Sequence, residues 1–175
     1  MAETSTSIRL APAREPSANV ATGLPVLDHL VAQLAGSGRF RIALEVAPGS
    51  ADEVVTAAAR TLGAALGERV RAPSAAGHGW ALVPADEALA SAALEIDDEP
   101  RLVSNVDLTG ERVAGLESDV ASRFLREVAD AAGVNLHVRL VEGEEPQHVL
   151  AAIFKAVGAA FGQACRPAPT SPEEE

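Results

Sequence analysis

The chain has 175 residues, of which 14 are Lys or Arg and 25 are Asp or Glu, so its formal net charge is −11. This balance argues against nucleic acid or an anionic membrane as the main partner, because both require a basic protein surface. A single cysteine, Cys165, excludes an internal disulfide and a multi-cysteine zinc site. No apolar run reaches the roughly 20 residues of a membrane span and residues 1–10 lack a secretory signal pattern, so we expect a cytoplasmic protein.

The first half of the chain predicts a helix, a strand and a second helix. The first helix starts with Pro25, since proline is tolerated in a first turn, and continues with an apolar stripe at helical spacing, namely Leu27, Leu30, Val31 and Leu34. Apolar and polar residues then alternate over residues 39–46, which predicts a half-buried strand. Ser50 and Glu53 have the spacing of a capping box, so the second helix is expected to start near Ser50.

The second half repeats this order. A helix is indicated by an apolar stripe at Val120, Phe124, Val128 and Ala131, and a strand by the alternation of Leu136, Val138 and Leu140 with polar residues. A final helix is expected from Pro146 to about Gly162. Shorter apolar runs predict strands at residues 7–10, 79–83, 94–96 and 102–106. We expect the only tryptophan, Trp80, to pack between a sheet and a helix.

An internal duplication organises these elements. The segment Gly-Ala-Ala-Leu-Gly at residues 63–67 recurs as Gly-Ala-Ala-Phe-Gly at residues 158–162, 95 positions later. A duplicated unit of this size indicates two similar halves that share one core. We therefore predict an α+β fold of two tandem halves, about residues 5–90 and 91–166, each a mainly antiparallel sheet covered on one face by two helices. Residues 167–175 are expected to form a disordered acidic tail.

Spacing alone leaves the role of the polar residues open. The four histidines, His29, His78, His137 and His148, match no H-E-x-x-H pattern, and the chain has no Cys-x-x-Cys or P-loop pattern. Acidic pairs open the two repeated helices, Asp52–Glu53 in one and Glu144–Glu145 in the other. Carboxylates in a first helical turn are stabilised by about 0.3–1 kcal/mol, which explains both pairs without a function.

Four short segments resemble motifs of one enzyme family. Residues 22–30, Thr-Gly-Leu-Pro-Val-Leu-Asp-His-Leu, are similar to T-G-x-x-F-L-D-H-M, and residues 84–89, Pro-Ala-Asp-Glu-Ala-Leu, are similar to P-M-D-E-A-L. Residues 136–138, Leu-His-Val, are similar to L-H-I, and residues 154–156 read Phe-Lys-Ala. On these residues, roughly positions 5–165 resemble the imidazoleglycerol-phosphate dehydratase family, whose architecture is also duplicated.

The resemblance implies a manganese-dependent lyase, but the metal-binding motifs are damaged. The family holds two metal ions through duplicated H-H-x-x-E motifs plus single histidines, and removes water by way of a metal-bound imidazolate. The first motif falls on Asp52, Glu53 and Thr56, and the second on Gln147, His148 and Ala151. His29, His137 and His148 remain at ligand positions. The family also implies a homo-oligomer, from a trimer up to a shell of about 24 subunits, with ligands drawn from different subunits.

The substrate positions that the resemblance implies also differ. Two arginines of the family fall on Gly77 and Glu99, whereas Lys155 stands where the family keeps a phosphate-binding lysine. Replacing a guanidinium with a carboxylate turns a phosphate clamp into a repulsive group. We therefore predict that the original dehydratase activity is absent or vestigial.

Two hypotheses follow. The first is a repurposed enzyme of small-molecule biosynthesis, a lyase or dehydratase, an isomerase or a cyclase, that acts on a cationic substrate. Its catalytic residues would be His29, Glu53, His137 and His148. Its substrate-binding residues would be Asp86, Glu87, Glu99 and Lys155. It would use no metal, or one divalent manganese or zinc ion on His29, Asp52, Glu53, His137 and His148. The second is a non-catalytic pseudoenzyme that serves as an oligomeric binding or assembly module.

Overall fold

The structure, a computed structural model, describes residues 5–106, 112–113 and 116–169. From residue 170 onward, the predicted acidic tail lies outside the described residues. In chain order the described residues form β1 (Ser7–Pro12), β2 (Ser17–Ala21), α1 (Pro25–Gly38), β3 (Phe40–Glu45), α2 (Ala51–Val70), β4 (His78–Ala85), β5 (Ala88–Ile96), β6 (Arg101–Ser104), β7 (Arg112–Val113), β8 (Leu116–Glu117), α3 (Ser118–Ala132), β9 (Val134–Glu142) and α4 (Pro146–Ala164).

The two larger sheets share one pattern of pairing. In the first sheet, of order β1-β3-β2, the central strand β3 pairs antiparallel with β1 and parallel with β2. In the second sheet, of order β4-β5-β9-β6, β9 pairs antiparallel with β5 and parallel with β6. Strand β4 is added at one edge as the hairpin partner of β5. This arrangement confirms the predicted α+β fold with two similar halves.

The repeated glycines lie where helices of the two halves meet, with α1 on α4 and α2 on α3. A Cβ atom on Gly63 would lie 2.7 Å from the carbonyl oxygen of Val128, and one on Gly67 would lie 2.8 Å from that of Ala132. A Cβ on Gly162 would lie 2.5 Å from the carbonyl oxygen of Gly38. The duplicated segment therefore lets helix backbones approach to distances that a side chain would prevent.

Small side chains fill the core around these contacts. The largest buried groups are the four phenylalanines of the chain, and nearly all other core residues are Ala, Val, Leu or Ile. The predicted capping box is confirmed, because Ser50 and Glu53 exchange side-chain and backbone hydrogen bonds at the start of α2. None of the helices in the described ranges combines the length and apolar character needed to cross a bilayer.

Two local expectations differ from the structure. The sequence pattern does not predict β2, because Ser17–Ala21 shows no apolar stripe and the strand forms by parallel pairing with β3. The prediction that Trp80 packs between a sheet and a helix is wrong, since its side chain is 60% exposed. Its neighbours Gly79 and Ala81 take the inner positions of β4, where the backbone of α4 leaves room only for small residues.

Replacing Gly158 with alanine tests the helix contact. A Cβ atom there would collide with the backbone carbonyl of Leu34 on α1, so we expect Gly158→Ala to lower the free energy of unfolding by about 1–3 kcal/mol. The matched control is Gly36→Ala, because Gly36 lies in α1 with open space around it and the change should stabilise the helix by about 0.5–1 kcal/mol. Urea denaturation measures both values, and equal effects would contradict the packing argument.

Candidate acid–base site at the start of α4

A two-residue turn, Asp86-Glu87, joins β4 to β5. Ala85 and Ala88 pair directly across the hairpin, so only these two residues connect the strands. Asp86 adopts a left-handed backbone conformation with φ 51°, which aspartate tolerates better than most residues. The turn lies against the start of α4 and places two carboxylates there.

Both carboxylates meet His148. The Glu87 Oε2 atom accepts a hydrogen bond from His148 Nδ1 at 2.6 Å, and Oε1 accepts one from the backbone N–H of Glu145 at 3.0 Å. On the other side of the ring, His148 Nε2 lies 3.4 Å from Asp86 Oδ2. The imidazole is therefore anchored through one nitrogen and faces a second carboxylate through the other.

These contacts shift the charge state of both partners. The pKa of Glu87 is lowered to about 2, mainly by the backbone N–H of Glu145, with the hydrogen bond from His148 adding to the effect. The pKa of His148 is raised above its ordinary value, mainly by its hydrogen bond to the Glu87 carboxylate. Its side chain remains 36% exposed. The site is therefore a histidine–carboxylate pair in which the contacts favour the protonated imidazole and which a small molecule can reach.

Asp52 and Glu53 make structural contacts at the start of α2. Asp52 Oδ1 accepts a hydrogen bond from the guanidinium of Arg123 at 2.8 Å. Glu53 Oε2 accepts hydrogen bonds from the backbone N–H and hydroxyl of Ser50, at 2.8 and 3.0 Å. These bonds lower the pKa of Glu53. Each carboxylate therefore has a local partner that explains its presence.

The other predicted histidines lie on separate surfaces. His29 is exposed near the start of α1, next to Asp28, which accepts hydrogen bonds from the backbone and hydroxyl of Thr22. His137 is exposed on the outer face of β9. No hydrogen bond or ion pair within the described ranges joins either imidazole to His148.

The remaining predicted substrate residues are also apart from the pair. The Glu99 side chain is 89% exposed in the turn between β5 and β6, with its Oε2 atom 3.8 Å from an Arg101 nitrogen. Lys155 is partly exposed on α4. In the part of the chain that the structure describes, no three His, Cys, Asp or Glu side chains form a group that could hold a metal ion. The structure thus brings together Asp86, Glu87 and His148 and leaves the other candidates dispersed.

Comparison with known proteins identifies the family. Residues 22–161 match the family model described as imidazoleglycerol-phosphate dehydratase. The chain belongs to the imidazoleglycerol-phosphate dehydratase family. It is 35% identical over 153 residues to the imidazoleglycerol-phosphate dehydratase of Pelobacter propionicus, covering 85% of this chain and 78% of that protein. The Moorella thermoacetica enzyme is 34% identical over 168 residues, covering 92% of this chain and 85% of that protein.

A solved structure supports the same assignment at the level of the fold. The crystal structure of imidazoleglycerol-phosphate dehydratase from Staphylococcus aureus superposes with a TM-score of 0.84 at 26% sequence identity, covering 93% of this chain and 94% of that chain. The motif at residues 84–89 that carries the resemblance to the dehydratase family supplies Asp86 and Glu87, and His148 lies in the segment where the sequence places the second metal motif of the family.

One member of the site, Glu145, enters the sequence analysis as one of the two acids that open the last helix. Its direct contact is its backbone N–H, which donates a hydrogen bond to Glu87, while its carboxylate adds to the negative charge near His148. The signal is local: Glu145 is the N-cap residue of α4 and precedes Pro146, so its N–H has no partner within the helix. This free N–H can therefore donate a hydrogen bond to a carboxylate placed opposite it, as it does to Glu87.

Glu87→Gln tests the origin of the histidine charge. A neutral amide removes the anion bonded to Nδ1, so we expect the pKa of His148 to fall toward its ordinary range, whereas Asp86→Asn should lower it less because Asp86 is farther away. An NMR titration that follows the carbon-bound protons of the imidazole rings against pH measures the pKa of His148. The His148→Asn variant identifies which signal belongs to this ring. Glu144→Gln is the charge-matched control. An unchanged titration in Glu87→Gln would contradict the assigned cause.

Proposed function

We propose that this dehydratase-family protein performs metal-independent proton transfer on a small molecule, as a lyase, isomerase or cyclase, with its original dehydratase activity absent or vestigial. The observation that carries the proposal is the hydrogen-bonded pair of His148 and Glu87, with the Asp86 carboxylate beside the other ring nitrogen of His148. The pair keeps a histidine at a position where the family places a metal ligand, and there His148 is bonded to the Glu87 carboxylate in place of a metal ion.

The residues at the family's metal positions do not fit two manganese ions. Thr56 and Ala151 replace the glutamates of the two motifs, and threonine and alanine supply no carboxylate ligand. Asp52 is paired with Arg123, and Glu53 caps α2. Binding a metal there would require both existing interactions to break. We therefore derive no step through a metal ion.

The pair has the geometry of a general acid. Glu87 holds the Nδ1–H of His148 and favours the protonated ring, which leaves the Nε2–H to be donated. In a dehydration, Nε2 gives its proton to a leaving hydroxyl group and the C–O bond breaks, releasing water. The Asp86 carboxylate, 3.4 Å from Nε2, takes the proton from the adjacent carbon as the double bond forms.

Local charge sets the class of substrate. Three carboxylates, of Asp86, Glu87 and Glu145, surround one imidazole and raise its pKa together. Phosphate would be repelled by this group of carboxylates. A neutral polyol or a cationic amine fits the charge of the site.

An assay with and without manganese tests this function. We expect no manganese-dependent turnover of imidazoleglycerol phosphate, and no tight manganese bound by the full-length chain in a calorimetric titration. The small-molecule fraction of a cell extract is incubated in deuterated water with the wild-type chain, and we expect the mass of one compound to change through loss of water or uptake of deuterium. The same incubation with His148→Asn should leave that mass unchanged.

The matched control is Glu144→Gln, which removes a neighbouring carboxylate that makes no hydrogen bond within the described ranges. It should retain the change that His148→Asn abolishes. Ordinary manganese-dependent turnover, or about one tightly bound metal ion per chain, would overturn the proposal. A mass change that persists in His148→Asn would remove that residue from the mechanism.

A second candidate function is supported by the outer face of the second sheet. Leu82 and Val103 are 48% and 44% exposed there. Assembly with a second copy of the chain would remove these apolar side chains from water. We propose, as the alternative, that the chain assembles with copies of itself and serves as a non-catalytic binding module.

Light scattering on the full-length chain tests this alternative. We expect a trimer or larger assembly, which Leu82→Glu should dissociate because a carboxylate would be buried at the contact. Ala43→Glu places the same charge on the outer face of the first sheet and should leave the mass unchanged. A monomeric wild-type chain would exclude the assembly role.

A further inference from the structure

The outer edge of β1 forms one side of a groove. The first sheet has the order β1-β3-β2, and no strand in the described ranges pairs with the other side of β1. The groove encloses about 770 Å³ between Ile8–Leu10 and one flank of α2, which packs against this strand. Its α2 side is lined by a stripe of residues at helical spacing, namely Arg60, Thr61, Ala64, Ala65, Glu68 and Arg69.

Backbone groups of β1 point into this groove. The C=O of Leu10 accepts a hydrogen bond from the Arg69 guanidinium at 3.0 Å, so it faces α2 and not β3. In an antiparallel strand the N–H and C=O of one residue point to the same side, and successive residues alternate between sides. The N–H of Leu10 and both backbone groups of Ile8 therefore face the groove. Within the described ranges, β1 has β3 as its only strand partner.

The second half of the molecule shows what the equivalent groove holds. β5 pairs antiparallel with β9 as β1 does with β3, and β4 lies along the other edge of β5. Three residues after Leu10, a backbone N–H donates to the C=O of Arg39, and three residues after Leu94, one donates to the C=O of Gly133. Arg39 directly precedes β3, and Gly133 directly precedes β9. Leu10 thus corresponds to Leu94, whose partner on β4 is Gly79, and the groove corresponds to the place of β4.

The helices show the same correspondence. The repeat, with its offset of 95 positions, matches Ala65 with Ala160 and Glu68 with Gln163. On α4 both residues lie against β4, and the Gln163 side chain accepts a hydrogen bond from the backbone N–H of Trp80. On α2 the matching residues line the groove and offer a small side chain and a hydrogen-bond acceptor at the same places.

The groove is basic in a protein with a net charge of −11. Arg9 forms no ion pair within the described ranges, and Arg69 donates to β1 through one of its nitrogens. Arg60 donates through Nε to Glu127 and remains 65% exposed. Glu68 is the one acid among the lining residues. Three guanidinium groups against one carboxylate favour an acidic occupant.

The spacing of the arginines fits an extended chain. Arg60 and Arg69 are nine residues apart on α2, which is about 13.5 Å along the helix axis. An extended chain covers this distance in about four residues. Between the arginines the stripe carries Ala64 and Ala65, which leave room for a strand above the helix.

We infer that this groove binds an extended acidic segment of a partner protein, which adds to β1 as an antiparallel fourth strand of the first sheet. Strand addition to a sheet edge is a general mode of peptide recognition. The strand takes the Leu10 carbonyl that Arg69 holds, and the freed guanidinium binds a carboxylate of the segment. The inference does not depend on the function proposed for the His148–Glu87 pair.

The labelled peptide Glu-Glu-Gly-Thr-Ala-Thr-Val-Glu-Glu tests the inference on the full-length chain by fluorescence anisotropy. Its core places glycine opposite Leu10 and alanine opposite Ile8, as β4 places Gly79 and Ala81. We expect saturable binding and slower exchange of the Ile8 N–H by NMR. Methylating the alanine nitrogen removes a bond to β1, and replacing glutamate with lysine reverses the charge, so each should weaken binding at least about tenfold.

Variants of the protein locate the binding. Arg60→Gln should weaken it about two- to fivefold, as expected for an exposed ion pair. The matched control, Arg126→Gln, removes an exposed arginine of α3 outside the groove and should bind like the wild type. Ala64→Phe fills the groove from an exposed position and should abolish binding. Circular dichroism checks that each variant is folded.

The outcomes separate a partner from other occupants. Deleting residues 170–175 should leave the affinity unchanged, and at least tenfold tighter binding after deletion would assign the groove to the acidic end of the chain itself. Dissociation of an oligomer by the peptide in light scattering would assign it to a second copy. Either result, equal affinity for the plain and methylated peptides, or no saturable binding would overturn the inference.

Discussion

Close contact between helix backbones is the constraint on which the other features of this molecule depend. Gly38 and Gly158 meet at the α1–α4 interface, and Gly63 and Gly67 lie on the backbone of α3. Because these positions have no side chain, the four helices pack closely with a core of mostly aliphatic residues. The same packing fixes α4 against β4 and β5, and so holds the start of α4 beside the Asp86-Glu87 turn.

Much of this architecture could be predicted from the sequence because its determinants are local. Apolar spacing places α1, the Ser50 capping box starts α2, and the repeated glycine segment reveals the duplication. Where determinants are not local, prediction fails. Strand β2 depends on pairing with β3, and in β4 both faces carry apolar residues, so alternation does not reveal that Trp80 is outside. The small size of Gly79 and Ala81 was the available signal for the inner face.

The candidate site was predictable only in its parts. Asp86 and Glu87 belong to one motif and His148 to another, and the bond between Glu87 and His148 joins residues 61 positions apart. No spacing rule connects them, because the hairpin turn and the start of α4 meet only in the folded chain. For Asp52 and Glu53, by contrast, the local explanation of acids at a helix start matches their contacts with Arg123 and Ser50.

The end of α4 also covers part of one edge of the second sheet, at the start of β4. The backbone N–H of Trp80 on β4 donates to the side-chain oxygen of Gln163, and that of Gly77 donates to the carbonyl oxygen of Ala164. An exposed edge strand offers its N–H groups to other chains and is a starting point for fibrillar aggregation. By occupying these donors, the last turn of α4 hinders a neighbouring chain from adding a strand at this end of β4.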